Sequence, residues 1–231
     1  MISVAIDGPA GAGKSTISRI AADKLGFVYV DTGALYRAIG WYVRSLHRDP
    51  ADAGQVCQSL NGLDIALRYT AAGQRVLVNG TDVSDAIRTP EVSMAASAVS
   101  AIPAVRDFLL ELQRSMARKQ NVIMDGRDIG TVVLPEATLK IFLTASPEDR
   151  ARRRYEELRQ KGQQVAYADV LADLKQRDYQ DSHRAVAPLQ PAADSVLVDT
   201  TGNTLEQSVE LLVSTICEKL QIGERFGNEA Q

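Results

Sequence analysis

The stretch that most constrains this chain is Ile2-Ser3-Val4-Ala5-Ile6, opening into Gly8-Pro9-Ala10-Gly11-Ala12-Gly13-Lys14-Ser15. A short apolar run suits one buried strand, and Gly-x-x-x-x-Gly-Lys-Ser after it is a phosphate-binding loop. Gly8, Gly11 and Gly13 let the backbone turn where a Cβ would clash, so that successive N–H groups converge on phosphate oxygens. Lys14 adds a point charge, and the Ser15 hydroxyl can hold Mg2+. Ile17, Ile20, Ala21 and Leu25 then fall on one face at helical spacing, with Gly26 just past the helix end. The N-terminus of that helix favours anions. Strand, loop and helix in this order imply a site for a nucleoside triphosphate with Mg2+.

With 231 residues, 45% of them apolar, the chain can bury the core of one α/β domain with insertions. A formal net charge of −3 gives no sign of a nucleic-acid or membrane partner. No apolar run approaches the ~18 residues needed to span a bilayer, and the N-terminus reads as a strand, not as a charged leader with an apolar centre. The expectation is a soluble, cytoplasmic protein. Cys57 and Cys217 lie far apart without metal-type spacing, and His47 and His183 are isolated, so neither a disulfide nor a structural zinc is expected.

Along the chain, residues 27–30, 122–125, 139–143 and 195–199 read as further core strands, giving a five-stranded parallel sheet with the first. Thr32 can cap a helix whose Leu35, Ile39, Tyr42, Val43 and Leu46 form the inward stripe. Residues 49–62 are polar and irregular, with one helical turn near Val56 and Leu60. The period then changes to two through Leu63, Ile65, Leu67 and Tyr69, with turns at Ala71-Ala72-Gly73 and Asn79-Gly80. This antiparallel meander is either an insertion over a substrate crevice or decoration. Two helices fill 90–119, the second starting at Pro103, and Ser146-Pro147-Glu148-Asp149 opens another. A helix from about Tyr167 and a last one over 205–220 complete the chain. The organisation expected is a single unit of 1–231 with core 1–60 and 103–222, an inserted region 61–102, a lid 148–178 and a frayed tail 223–231.

Arg37, Arg127 and Arg184 come from three separate elements, all expected to end near the carboxyl edge of the sheet, where open α/β sheets bind ligands. Arg150, Arg152, Arg153 and Arg154 form either a solvated face balanced by Glu156 and Glu157 or a mobile lid that closes over polyphosphate. Arg177, Asp181 and Arg184 share one helix face; a ladder with Asp173 accounts for the first two and leaves Arg184 over. Asp125, ending its strand, either orients Mg2+ through water or is a capping or structural acid. Several cations converging from distant elements suit phosphoryl transfer, which is catalysed by positioning and charge neutralisation. No guanine-reading Asn-Lys-x-Asp occurs, so a small-molecule kinase with an anionic acceptor is the better fit.

Gly8–Lys14, Asp31-Thr32-Gly33-Ala34-Leu35-Tyr36-Arg37, Asp125-Gly126-Arg127-Asp128-Ile129-Gly130-Thr131-Val132-Val133 and Arg184-Ala185-Val186-Ala187-Pro188-Leu189 together resemble the bacterial cytidylate kinases, in order and at the family's spacing. The resemblance implies an α/β P-loop NTPase three-layer fold with an inserted monophosphate-binding region and a helical lid. It implies transfer of the γ-phosphoryl of ATP to CMP or dCMP, and a monomer. Carried over by motif position, Gly8 to Thr16, with Arg153 and Arg154, would hold ATP. Thr32, Arg37 and Arg127 would hold the acceptor phosphate with Arg184 near it; Ser97, Arg106 and Asp128 would read the base; Arg177 and Asp181 would hold the sugar. Lys14, Arg127 and Arg184 would be catalytic, and Ser15 the metal ligand. Thr32 stands where other members carry Ser, and Ser15 where some carry Gly. The chemistry agrees, because a carboxylate such as Asp128 can accept from the amino group of cytosine while Arg106 donates to the ring acceptors. Uracil would set an oxygen against Asp128, so CMP should be preferred over UMP.

Overall fold

The computed structural model describes residues 1–70 and 73–223. In chain order these form β1 (Ser3–Asp7), α1 (Lys14–Leu25), β2 (Val28–Asp31), α2 (Thr32–Ser45), α3 (Ala53–Leu60), β3 (Ile65–Thr70), β4 (Gly73–Val78), β5 (Thr81–Asp82), α4 (Pro90–Ser100) and α5 (Pro103–Lys119). They continue with β6 (Val122–Gly126), β7 (Leu139–Thr144), α6 (Pro147–Gln160), α7 (Tyr167–His183), β8 (Val196–Asp199) and α8 (Leu205–Leu220). A 3-10 turn covers Ala86–Arg88 and a π-helical turn Ile129–Val133. The chain divides into two compact units, Met1–Tyr29 with Lys119–Gln231, and Val30–Arg118. The second unit takes in α2 to α5 as well as the meander.

The core sheet has the five strands expected, and their order is β2-β6-β1-β7-β8. β1 pairs in parallel with β6 and with β7, and β7 with β8. Val4, Ala5, Ile6, Ile123, Met124 and Leu143 are fully buried, which is why these strands are continuous apolar runs rather than alternating ones. Ile17, Ala21 and Leu25 of α1 and Val209, Leu212, Val213 and Ile216 of α8 join the same core. Helix ends are set locally. Gly26 stops α1 in the left-handed conformation, Pro147 starts α6 behind the Ser146 cap, and Thr204 with Gln207 closes a capping box on α8. In parallel pairing, Asp7 stands opposite Gly126, so the loop after β1 and the turn after β6 leave the sheet side by side.

In the second unit the meander β3-β4-β5 is antiparallel. Asn79 and Gly80 both have positive φ, 48° and 80°, as the tight two-residue turn requires. Ile65, Val76 and Val78 of this sheet share one core with Leu35, Ile39 and Val43 of α2 and Val105 and Leu109 of α5. Gly40 lets α4 approach α2, since a Cβ there would stand 2.9 Å from the Ala96 nitrogen.

Two local expectations change, and one segment left without an assignment takes a defined form. Asp31, not Thr32, caps α2: its carboxylate accepts from the Ala34 N–H. Asp has the same capping chemistry one residue earlier and leaves Thr32 as the first helical residue. Residues 53–60, expected as a single turn, form α3 behind an Asp52 cap whose carboxylate takes the N–H groups of Gly54 and Gln55. The segment 129–133, without periodicity of its own, is a π-helical turn. The turn at Ala71-Ala72 and the tail from residue 224 lie outside the described residues. Among the described residues no single helix is long and apolar enough to cross a membrane; α4 and α5 reach that composition only together, and they meet at 99°.

Gly8 has φ +153° and a Cβ there would fall 1.9 Å from the Leu143 carbonyl oxygen. Gly8→Ala should therefore cost about 2 kcal/mol or more and lower Tm by about 4–8 °C. Thermal melting by circular dichroism checks this, and an unchanged Tm would mean that the loop relaxes freely.

Candidate active site

The phosphate loop is built as its glycines foretell: Gly8, Gly11 and Gly13 all take positive φ. Gly13 precedes α1 without supplying a side-chain cap, which suits the first N–H groups of the helix to an anion. Lys14 is buried and its Nζ donates to the Pro9 carbonyl at 2.7 Å. Burial, with Arg127 and Arg177 nearby, holds its ammonium well below the usual lysine range, against the opposing pull of Asp125 and Asp7. A polyanion arriving here would restore that charge. Thr16 and Ser15 are exposed at the start of α1. The Ser15 hydroxyl donates to Asp125 Oδ2 at 2.9 Å, and the Tyr29 hydroxyl donates to Asp125 Oδ1 at 2.8 Å. Asp125 thus joins α1 and β2 to the end of its own strand. A hydroxyl backed by a carboxylate is an oxygen donor set that fits a hard divalent cation.

The α6 arginines separate into different roles. Arg150, read as part of either a solvated face or a lid, is 3% exposed. It donates to the carbonyls of Ala10 at 2.8 Å and Ala145 at 2.9 Å and pairs with Asp178 at 2.6 Å. It brackets the phosphate loop to α6 and α7 and does not point outward, because a guanidinium with five donors can satisfy several buried acceptors at once. Arg153 donates to the Thr200 carbonyl at 2.6 Å and to Asp149 at 3.1 Å, with its guanidinium 4.0 Å from the position a Gly13 Cβ would take. Arg154 pairs with Glu157 at 2.7 Å and Arg152 with Asp149, both on the surface of the helix. Here these two lie on the solvated side of the helix.

On the turn after β6, Arg127 Nε donates to Asp181 Oδ2 at 2.8 Å, which joins residues 54 apart in sequence. Asp181 therefore reaches beyond its own helix instead of ending a ladder on it. Burial alone would raise the Asp181 carboxyl, but Arg127, Arg177 and Arg184 outweigh it and hold the group below the usual carboxylate range. Arg184, just past the end of α7, donates through Nε to the Ala187 carbonyl at 2.6 Å and stands 3.7 Å from Asp128 Oδ1. The backbone returns here, the Leu189 N–H donating to the Asp181 carbonyl at 2.8 Å. Arg127, Asp128, Arg177, Asp181 and Arg184 thus form one charged cluster.

Asp7 was not among the sequence candidates. It is 4% exposed, and its two oxygens accept from the N–H groups of Ile129 at 2.7 Å and Gly130 at 2.8 Å. Burial pushes its carboxyl up to about 6, helped by Asp128 and opposed by the two N–H groups and Lys14. The available signal was an acid placed directly before the first glycine of the phosphate loop.

In the second unit, Thr32 is buried at the start of α2. Asp31 Oδ2 holds Arg37 at 2.7 Å, while Arg37 Nε is buried and makes no hydrogen bond. Arg106, 8% exposed, donates to the Ser100 carbonyl at 3.2 Å with its guanidinium 5.7 Å from the Tyr36 ring centre. Ser97 is half-buried on α4. A surface cavity of about 780 Å³ along α6, lined by Ser146, Asp149, Arg152, Tyr155, Arg159 and Tyr167, includes none of these loop or cluster residues.

A family model described as cytidylate kinase matches residues 4–218. The chain is 50% identical over 222 residues to the cytidylate kinase of Desulfitobacterium hafniense, covering 96% of this chain and 95% of that one. It is likewise 50% identical over 216 residues to the cytidylate kinase of Carboxydothermus hydrogenoformans, covering 94% and 97%. A crystal structure of an uncharacterized protein from Eubacterium ventriosum superposes with a TM-score of 0.51 at 10% identity, over 94% of this chain and 98% of that one, a likeness of fold alone.

Replacing Arg150 by Met should strand the Asp178 carboxylate and two buried carbonyls, at a cost of about 3–5 kcal/mol in chemical denaturation. Arg154→Met should stay within about 0.5 kcal/mol. Equal effects of the two would refute the division of roles along α6.

Proposed function

Since the chain belongs to the cytidylate kinase family, we propose that it moves the γ-phosphoryl of ATP onto CMP or dCMP, giving ADP and CDP or dCDP. The observation that carries this is the cluster of Arg127, Arg177 and Arg184 with Asp128 and Asp181, electrostatically linked to Lys14 of the phosphate loop.

ATP is held by Gly8 to Thr16, with Arg153 over the loop. The CMP phosphate goes to Arg127 and Arg184; Thr32 and Arg37, within the second unit, are of the same anion-binding chemistry. Asp128 accepts from the cytosine amino group, and Arg177 and Asp181 hold the sugar; Arg106 and Ser97, within the second unit, carry donors suited to the ring acceptors of the base. A phosphate monoester with its second pKa near ~6 is largely a dianion at neutral pH, so its oxygen attacks the γ-phosphorus directly, without a general base. One P–O bond forms as the bond to the leaving ADP breaks. Lys14 and the arginines neutralise the charge spread over the oxygens. Residues 148–178 act as a lid that excludes water, which would otherwise take the phosphoryl group. Ser15, backed by Asp125, would hold Mg2+, which would supply positive charge to offset that of the donor phosphates. In the resting protein each of these arginines leans on an acid, Arg37 on Asp31, Arg127 on Asp181 and Arg184 on Asp128. Substrate phosphate takes over as partner, so no cation is left buried alone.

An ADP-release assay should show strong stimulation by CMP and dCMP and little by UMP, AMP or GMP. Equal rates with UMP would overturn the roles of Asp128 and Arg106, and release indifferent to every acceptor would indicate a nucleotide-gated switch. Arg127→Ala should lower kcat by about 10²–10³-fold with ATP affinity within about threefold. Unchanged turnover would remove Arg127 from the chemistry.

A further inference from the structure

The π-helical turn Ile129–Val133 starts from Asp128, whose side chain makes no cap bond to it. An Asp in that position ordinarily folds back on the first N–H groups of its own turn. Here those groups belong to Asp7, 122 and 123 residues earlier in the chain. The approach is close: a Cβ on Gly130 would lie 3.4 Å from Asp7 Oδ2 and 3.2 Å from the Lys140 side chain. The remaining backbone is tied down as well, the N–H groups of Val132 and Val133 donating to the Asp128 carbonyl at 2.9 and 3.2 Å. With its turn already capped, the Asp128 carboxylate faces Arg184 instead.

We propose that Asp7 is a positioning residue for base selection: by taking the Ile129 and Gly130 N–H groups from the end of β1, it keeps the Asp128 carboxylate from folding onto them and leaves it aimed at the cytosine amino group. The inference rests on the assignment of Asp128 as base reader. A mere structural prop would lower rates for every acceptor alike. An orienter of Asp128 acts on the difference between CMP and UMP, since the two differ at the atom Asp128 faces. Three further charged groups bear on Asp7. Lys14 on α1 opposes its protonation, Asp128 favours it, and the Lys140 ammonium on β7 is turned away to Asp194 at 2.9 Å. Because burial pushes the Asp7 carboxyl up to about 6, acidification should convert one acceptor to a donor facing an N–H and loosen the cap.

The test is the ratio of kcat/KM for CMP to that for UMP, measured from about pH 5.5 to 8 in the unmodified chain, Asp7→Asn and Asp128→Ala, alongside ATP affinity by calorimetry. The phosphates of both acceptors titrate together near ~6 and cancel in the ratio. In Asp7→Asn the ratio should fall at least about tenfold at pH 7.5 with ATP affinity within about threefold. In the unmodified chain the ratio should decline as the pH drops through about 6, and in Asp7→Asn it should stay flat. If Asp7→Asn does not fold, the pH profile of the unmodified chain decides alone, and a flat profile overturns the proposal. A ratio retained in Asp7→Asn but lost in Asp128→Ala overturns it too, with the base reader intact. A ratio retained in Asp128→Ala removes the base reader itself, and the proposal with it.

Discussion

The register of β1 against β6, from Ser3 opposite Val122 to Asp7 opposite Gly126, is the constraint on which the rest of the first unit depends. Parallel strands end on the same edge, so this pairing brings the phosphate loop and the Arg127-Asp128 turn out of the sheet together. A shift of one residue would turn the side chains of β1 to the opposite face and separate Asp7 from the N–H groups it caps. The register is held by apolar packing on both faces, with Val4, Ala5, Ile6, Ile123 and Met124 entirely enclosed. Chemistry at the edge is therefore positioned by the least polar part of the chain.

At that edge, charges are arranged so that few are left without an opposite. Arg127 with Asp181, Arg150 with Asp178 and Arg184 near Asp128 share one region, and Lys14 at its margin is driven toward neutrality by burial and by its cationic neighbours. Desolvating a lone guanidinium or ammonium costs several kcal/mol, so a preformed anion site needs resident carboxylates as stand-ins. The fate of each arginine follows from its depth. Arg150 is sealed in and becomes a bracket, whereas Arg154 reaches solvent and makes a weak helix-surface pair.

Much of this was legible in the residues, because its causes are local. Apolar runs of strand length, helical stripes, the Asn79-Gly80 turn, Pro147 behind Ser146 and the glycines of the phosphate loop each carry their own conformational cause, and each element stands where that cause put it. What escaped was decided by partners distant in sequence. Arg150 looks like its neighbours Arg152 to Arg154 until the Ala10 carbonyl is brought against it. Asp7 looks like the end of a strand until Ile129 and Gly130 arrive. The cap of α2 was misplaced by a single position, since Asp and Thr can both cap a helix and the backbone chooses between them.

By itself, the amino-acid sequence determined the strand-loop-helix that cradles phosphate, the five core strands and the family, all of which rest on periodicity, glycine conformation and motif order. Only the tertiary structure decided which acid holds which arginine, that the turn after β6 is capped from β1, and which α6 cations face solvent. Hydrogen bonds and ion pairs form between groups brought within about 3 Å, and neighbourhood across more than a hundred residues is a property of the packed sheet, not of any segment of the chain.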